Sequence, residues 1–399
     1  MSRATEIYPY KKSIPRTLEC LSRDPHNSEI MMKYYNTRVA EGISSARIYK
    51  CISTLKLISK MLGKPFEEAI KDDIVKLVAE VEQRDVSGWT KRDYKVILKQ
   101  FYKWLRNCDE IMPPEVRWIK RTEAVQNKNP ILPKDLLKPE EKDALINAAL
   151  NSRDRALLEL LFETGRRLGE ILTLHIKDIE FDTMGAKLSI HGKVGDDFTR
   201  IISSTAALKQ WLAEHTTKDD LESPLWIGFG GSNRMKQITY AAARSILKKI
   251  TKRSGIKKRI HYYLFRHTRI DESQGHLTES QQCMMFGWRF GSKMPATYMK
   301  RYGKHIDNAQ AIMNGVTPSQ IKPITTRPPR SCIFCKTENS PVSKFCCRCG
   351  KSLDIKFGIN IEDSEIKIRE MLHALITDPR ELENLRNYLA ERRHEKAST

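Results

Sequence analysis

Phe286-Gly287-Trp288-Arg289-Phe290-Gly291-Ser292-Lys293-Met294-Pro295-Ala296-Thr297-Tyr298 sets an indole N–H and a phenol ten positions apart across a glycine-broken turn. Just before it stands Tyr263-Leu264-Phe265-Arg266-His267-Thr268, and far upstream Thr164-Gly165-Arg166-Arg167-Leu168-Gly169-Glu170. The first and last of these stretches are interrupted by glycine. Together they offer a hydroxyl nucleophile and two or more guanidinium forks, the groups that suit a phosphate ester. The surrounding chain is therefore read as a mainly helical scaffold that holds these segments against one another.

The 399 residues are enough for two or three domains. Hydrophobic residues make up 40%, enough for cores, and no apolar run reaches the ~18–20 residues that a membrane span needs. MSRATEIYPYKK has no apolar segment behind its charges, so the expected location is the cytoplasm and no membrane is expected as partner. Lysine and arginine number 70 against 49 acids, a net +21. Such an excess speaks to partners, and nucleic acid is the first polyanion to consider.

Taken in order, residues 1–24 read as a basic arm interrupted by Pro9 and Pro15. Residues 25–110 read as a four-helix domain. Its last helix, capped by Ser87 or Thr90, carries Tyr94, Ile97, Leu98, Phe101 and Leu105 on one face. Lys91, Lys95, Lys99, Lys103 and Arg106 share another face with few acids beside them, so they are assigned to tracking DNA phosphates. The proline-rich stretch 111–133 reads as a linker. Residues 134–318 read as a second, mainly helical domain with one small antiparallel sheet, its hairpin turning through Gly192-Lys193-Val194-Gly195-Asp196-Asp197.

Cutting a phosphodiester without a metal requires donors for the charge that develops on the nonbridging oxygens, a nucleophile, and an acid for the leaving oxygen. Arg167 and Arg266 supply the clamp. Glu170 orients Arg167 from one turn on. Lys193, at a hairpin tip, supplies the acid. Trp288 offers one N–H, and Tyr298 is the nucleophile, with Tyr302 as the rival phenol one helical turn later. The phosphotyrosyl bond so formed conserves the phosphodiester energy. No GxxxxGK[ST] loop is present, in keeping with an ATP-independent reaction, and no catalytic cofactor is expected. Taken singly, each residue has a plainer explanation: a tyrosine or tryptophan in a core, an arginine paired with Glu163 or Glu170, a lysine in a solvated turn. The joint pattern carries the reading.

These motifs resemble the tyrosine recombinases, also called the phage integrase family, and look most like its archaeal branch. Thr164–Glu170 matches the first arginine motif, Gly192-Lys193 the lysine motif, and Leu264-Phe265-Arg266-His267-Thr268 the HxxR-H box. Gly287-Trp288 and Tyr298 stand where the family has its Gly-His or Gly-Trp pair and its nucleophile. Tyr263 falls where the family has a histidine; a phenol donates a hydrogen bond but carries no positive charge at neutral pH. The resemblance implies a helical SAM-like core-binding domain followed by the catalytic domain. It also implies a specific double-stranded target site, a 3′-phosphotyrosyl intermediate and a synaptic homotetramer assembled from monomers or dimers. His267 enters as a supporting residue. The rivals are a DNA-binding regulator that has lost catalysis, and a relaxing type IB topoisomerase.

Five of nine cysteines fall between 332 and 349. Cys332-x2-Cys335 and Cys346-x2-Cys349 have the spacing of a structural zinc site, and residues 328–352 read as a zinc ribbon, with Cys347 spare. Residues 353–399 read as an amphipathic helical tail.

Overall fold

A computed structural model describes residues 7–19, 25–108, 110–120, 133–192, 195–231, 234–274, 276–302, 310–315, 330–339, 346 and 348–353. The tail at 353–399 lies almost wholly outside them, as do Lys193 and Cys347. The chain divides into two compact units, Met1–Asp135 and Leu136–Thr399. Among the described residues no helix is long and apolar enough to cross a membrane.

The first unit contains α1 (Tyr10–Glu19), α2 (Pro25–Ala40), α3 (Ser45–Leu62), α4 (Lys71–Gln83), α5 (Gly88–Leu105) and the short α6 (Pro114–Arg117). Helix α3 buries Ile48, Cys51, Ile52, Leu55 and Ile58, the stripe that 3.6-residue spacing turns to one side. Gly63, at φ 68°, closes it by donating its N–H to Ser59 O. On α5 the Ser87 hydroxyl accepts from Thr90 N. Phe101, wholly buried at the centre, meets Phe66 at 4.7 Å and Tyr34 at 5.3 Å. Cutting such a side chain to alanine costs about 3–5 kcal/mol.

Two sequence expectations need correction here. Residues 10–19 form a helix despite Pro15, because Ile14 and Leu18, one turn apart, bury against the same core. The expected linker does not begin at 111, because α6 folds back and Val116 and Ile119 enter that core.

The second unit contains α7 (Pro139–Asn147), α8 (Ser152–Thr164), α9 (Leu168–Leu172), β1 (Ile179–Asp182), β2 (Gly185–Gly192), β3 (Gly195–Ile201), α10 (Thr205–Glu214), α11 (Tyr240–Ser254), α12 (Tyr262–Ser273), α13 (Glu279–Phe286) and α14 (Met294–Tyr302). The fold class is mainly helical with a three-stranded antiparallel sheet in the order β1-β2-β3. Asp182 on β1 and Arg200 on β3 clasp the sheet edge with two bonds of 2.8 and 2.9 Å. Central α8 packs on α10 and α12, its face made of Leu157, Leu160 and Leu161. Asn151 caps its start, and its end, Gly165, has no room for a Cβ, which would sit 2.8 Å from Phe286. Glu163 accepts from the amides of Ile202, Ser203 and Ser204 and so caps α10. That commitment leaves Arg167 to Glu170.

Candidate active site

Helix ends bring the predicted residues together. Arg167 is the N-cap of α9, and its Nη1 donates to Glu170 Oε1 at 2.7 Å and to Gly287 O at 3.3 Å. Glu170 is nearly buried and also accepts from Arg167 N. Helix α12 begins at His261, whose ring Nδ1 accepts from Leu264 N, so this histidine serves as a cap. Arg266, 1% exposed, donates to Gly165 O at 3.0 Å and to Phe286 O at 2.8 Å. It therefore grips the ends of both α8 and α13. Its guanidinium lies 5.3 Å from the Trp288 ring centroid, within cation–π range.

The rings complete the cage. Trp288 stacks on Tyr298 at 5.7 Å and 23°; Tyr298 meets His267 at 5.4 Å; His267 meets Tyr263 edge-on at 4.4 Å. Tyr298 and His267 are buried, whereas Tyr263 is about half exposed at 48%. Burial pulls the Arg266 guanidinium down to about 10; neighbouring Arg167 adds to the shift and Glu170 opposes it. It stays charged at neutral pH, with Nε buried and without a hydrogen-bond partner among the described residues.

Of the sequence-predicted residues, Arg167, Glu170, Tyr263, Arg266, His267, Trp288 and Tyr298 thus converge. Lys193 lies outside the described residues; the strands that flank it are paired as far as Gly192 and Gly195. Tyr302 ends α14, and its side chain lies outside the described part.

The α5 stripe differs from its expectation. Lys95 pairs with Glu82, Lys91 donates to Glu82 O, Lys99 donates to Ile119 O, and Arg106 pairs with Glu115 at 3.0 Å. Folding brings in acids and carbonyls from the neighbouring helices α4 and α6 and the residues just after α6. A second basic stripe was missed. Arg244, Lys248 and Lys252 on α11, with Lys257 and Arg259 beyond it, line a recess of about 1100 Å³ that Tyr263 also borders. All five are exposed, and none makes an ion pair among the described residues. The signal was available: from Ser223 to Ile270 the chain holds no carboxylate.

The four cysteine sulfurs of Cys332, Cys335, Cys346 and Cys349 lie within 4.8 Å of one another. Two turns of matching form carry them. Cys332 N donates to Thr337 O and Lys336 N to Cys332 O; Cys346 N donates to Lys351 O and Gly350 N to Cys346 O. Lys336 and Gly350 take the same left-handed backbone, at φ 57° and 71°. The short strands Arg330–Ser331 and Glu338–Asn339 pair antiparallel beside the first turn.

The helical domain with its small sheet thus gathers arginines and aromatic rings around one buried phenol. Residues 135–279 match the model of the phage integrase family. Tyrosine recombinase XerA of Pyrococcus horikoshii is 27% identical over 244 residues, 59% of this chain and 76% of that protein. The Tn1549 transposon integrase in complex with transposon right end DNA superposes with a TM-score of 0.55 at 13% identity, over 72% of this chain and 98% of that one. A lambda integrase tetramer bound to a Holliday junction superposes with a TM-score of 0.51 at 14% identity, over 65% and 76%.

Proposed function

We propose that this chain is a site-specific DNA recombinase that breaks and rejoins duplex DNA through Tyr298. The observation that carries the reading is the cage: Arg167 and Arg266 flank Trp288, and the Trp288 ring stacks on Tyr298. The phenol gives up its proton to water as its oxygen attacks phosphorus, the bond from phosphorus to the 5′ oxygen breaks, and the Lys193 ammonium protonates that oxygen. Arg167 and Arg266 take the charge on the nonbridging oxygens, a contribution of roughly 3–4 kcal/mol per donor in comparable sites. Glu170 holds Arg167 in place, and Tyr263 donates a neutral hydrogen bond where a histidine would add charge. His267 fixes the ring of Tyr298 by packing.

The α11 stripe tracks the DNA backbone. On α5 the contribution comes chiefly from Lys103, which lines an open recess with Arg38 and Arg47. The synaptic partner is three further copies on two duplexes, by likeness to the lambda integrase tetramer, and the reaction takes place in the cytoplasm.

The cysteine cluster fits structural zinc. Tetrahedral coordination at a Zn–S distance of about 2.3 Å puts sulfurs about 3.8 Å apart, and the Cys332–Cys349 and Cys335–Cys346 pairs stand at 3.6 and 3.4 Å. Cys332, Cys335, Cys346 and Cys349 would hold the ion, which would staple a segment with little core of its own.

Tyr298→Phe tests the reading. Supercoiled plasmids bearing DNA from the host genome are incubated with protein, stopped in detergent, and the covalent junctions sequenced. The wild type should give tyrosyl adducts at one recurring sequence; Tyr298→Phe should give none while still shifting that duplex on a gel. An adduct that survives in Tyr298→Phe and disappears in Tyr302→Phe would overturn the assignment. Relaxation without rejoined recombinants would favour the topoisomerase.

A further inference from the structure

Arg166 has no role in the cage, yet it is the most heavily tied residue beside it. Its side chain is 1% exposed. Its Nη2 lies 2.6 Å from Asp197 Oδ2, 2.9 Å from Met284 O and 3.3 Å from Phe198 O. These acceptors belong to two different parts of the machinery. Asp197 and Phe198 lie on β3, the strand that returns from the Lys193 hairpin, and Asp197 faces Ile190 two rungs below the closing Gly192–Gly195 pair. Met284 lies in the last turn of α13, which delivers Gly287 and Trp288. Arg166 itself is joined by a peptide bond to Arg167. A Cβ on Gly287 would stand 2.7 Å from Arg166 Nη1, so the Trp288 turn is shaped around this guanidinium.

Alternation along β3 makes the anchor two-sided. Asp197 points to Arg166, while its neighbour Asp196 points the other way and meets His191 Nδ1 at 2.8 Å. On its far ring nitrogen, His191 approaches Asp178 Oδ1 at 3.4 Å. The hairpin is thus held on both faces close to its closing pair, and the Arg166 side ties it to the segment that carries Arg167.

We infer that Arg166, through Asp197, is a positioning residue that fixes the β2–β3 hairpin relative to Arg167 and Trp288, so that the leaving 5′ oxygen receives its proton. This rests on the reading of Lys193 as the acid. It makes a prediction that a merely structural role does not. A leaving sulfur departs as a thiolate and needs no proton, so replacing the 5′ oxygen at the junction by sulfur should bypass the defect.

The test uses the full chain and a duplex carrying the mapped junction, made with oxygen or with sulfur at that position. Single-turnover adduct formation is measured for the wild type, Arg166→Leu, Asp197→Asn and Lys193→Ala. Misplacing an acid by an ångström costs on the order of 10²-fold. Arg166→Leu and Asp197→Asn should therefore lose roughly 10- to 100-fold on the oxygen duplex and return to within a few-fold of wild type on the sulfur duplex. Asp197 is 29% exposed, so its amide variant keeps the inference testable where Arg166→Leu fails to fold. Equal losses on both duplexes, or no loss on either, would overturn the inference. Failure of sulfur to restore Lys193→Ala would instead remove Lys193 as the acid, and with it the basis of the inference.

Discussion

Gly287→Ala is the sharpest probe of how the site is built. Gly287 sits at φ 59°, a backbone that costs an L-residue roughly 1–2 kcal/mol. The new methyl would also lie 2.7 Å from Arg166 Nη1. The guanidinium has little room to yield, since it is buried and bonded to Asp197, Phe198 and Met284. Overpacking of this kind costs about 1–3 kcal/mol more. Gly291→Ala is the control, because Gly291 has a φ of 74° but nothing within 4 Å of the place its methyl would take. The difference between the two variants isolates the clash, roughly 1–3 kcal/mol at about 2–4 °C of melting temperature per kcal/mol. Thermal unfolding of both measures it. Adduct formation should fall further in Gly287→Ala, since Gly287 O also accepts from Arg167. Two variants that melt together and cleave alike would refute the account of Arg166 shaping this turn.

Other consequences are open to measurement. Arg200 holds the Asp182 carboxyl down to about 2 from its ordinary value near 3.8, chiefly by a hydrogen bond, so this contribution to stability is present above pH 4 and lost as pH falls toward 2. The melting-temperature gap between wild type and Asp182→Asn should therefore be full at pH 5 and shrink toward pH 2; a gap that widens on acidification would contradict the pairing. Neutralising Arg244, Lys248 and Lys252 together should weaken duplex binding on all sequences and lower the salt slope by roughly three, at about one per phosphate contact; an unchanged slope would take α11 off the DNA. Metal analysis of the full chain should return one zinc, and Cys335→Ser should lose it while adduct formation by the cage persists.

The sequence by itself determined the helical class and the position of each motif, because these depend on residue type and local spacing. Gly165 and Gly287 punctuate helices wherever they fold, and the CxxC pairs carry their own turn geometry. Tertiary structure decided which charges are spent inside the protein. The α5 stripe looked unpartnered only because Glu82, Glu115 and the Ile119 carbonyl reach it through folding. Sequence alone assigned no role to Arg166 beside Arg167. One residue's difference at a helix start sends Arg167 outward as an N-cap, 42% exposed, and Arg166 inward to Asp197. Two adjacent arginines are chemically the same in sequence, and only the direction of each side chain leaves one open to solvent and ties the other into the frame.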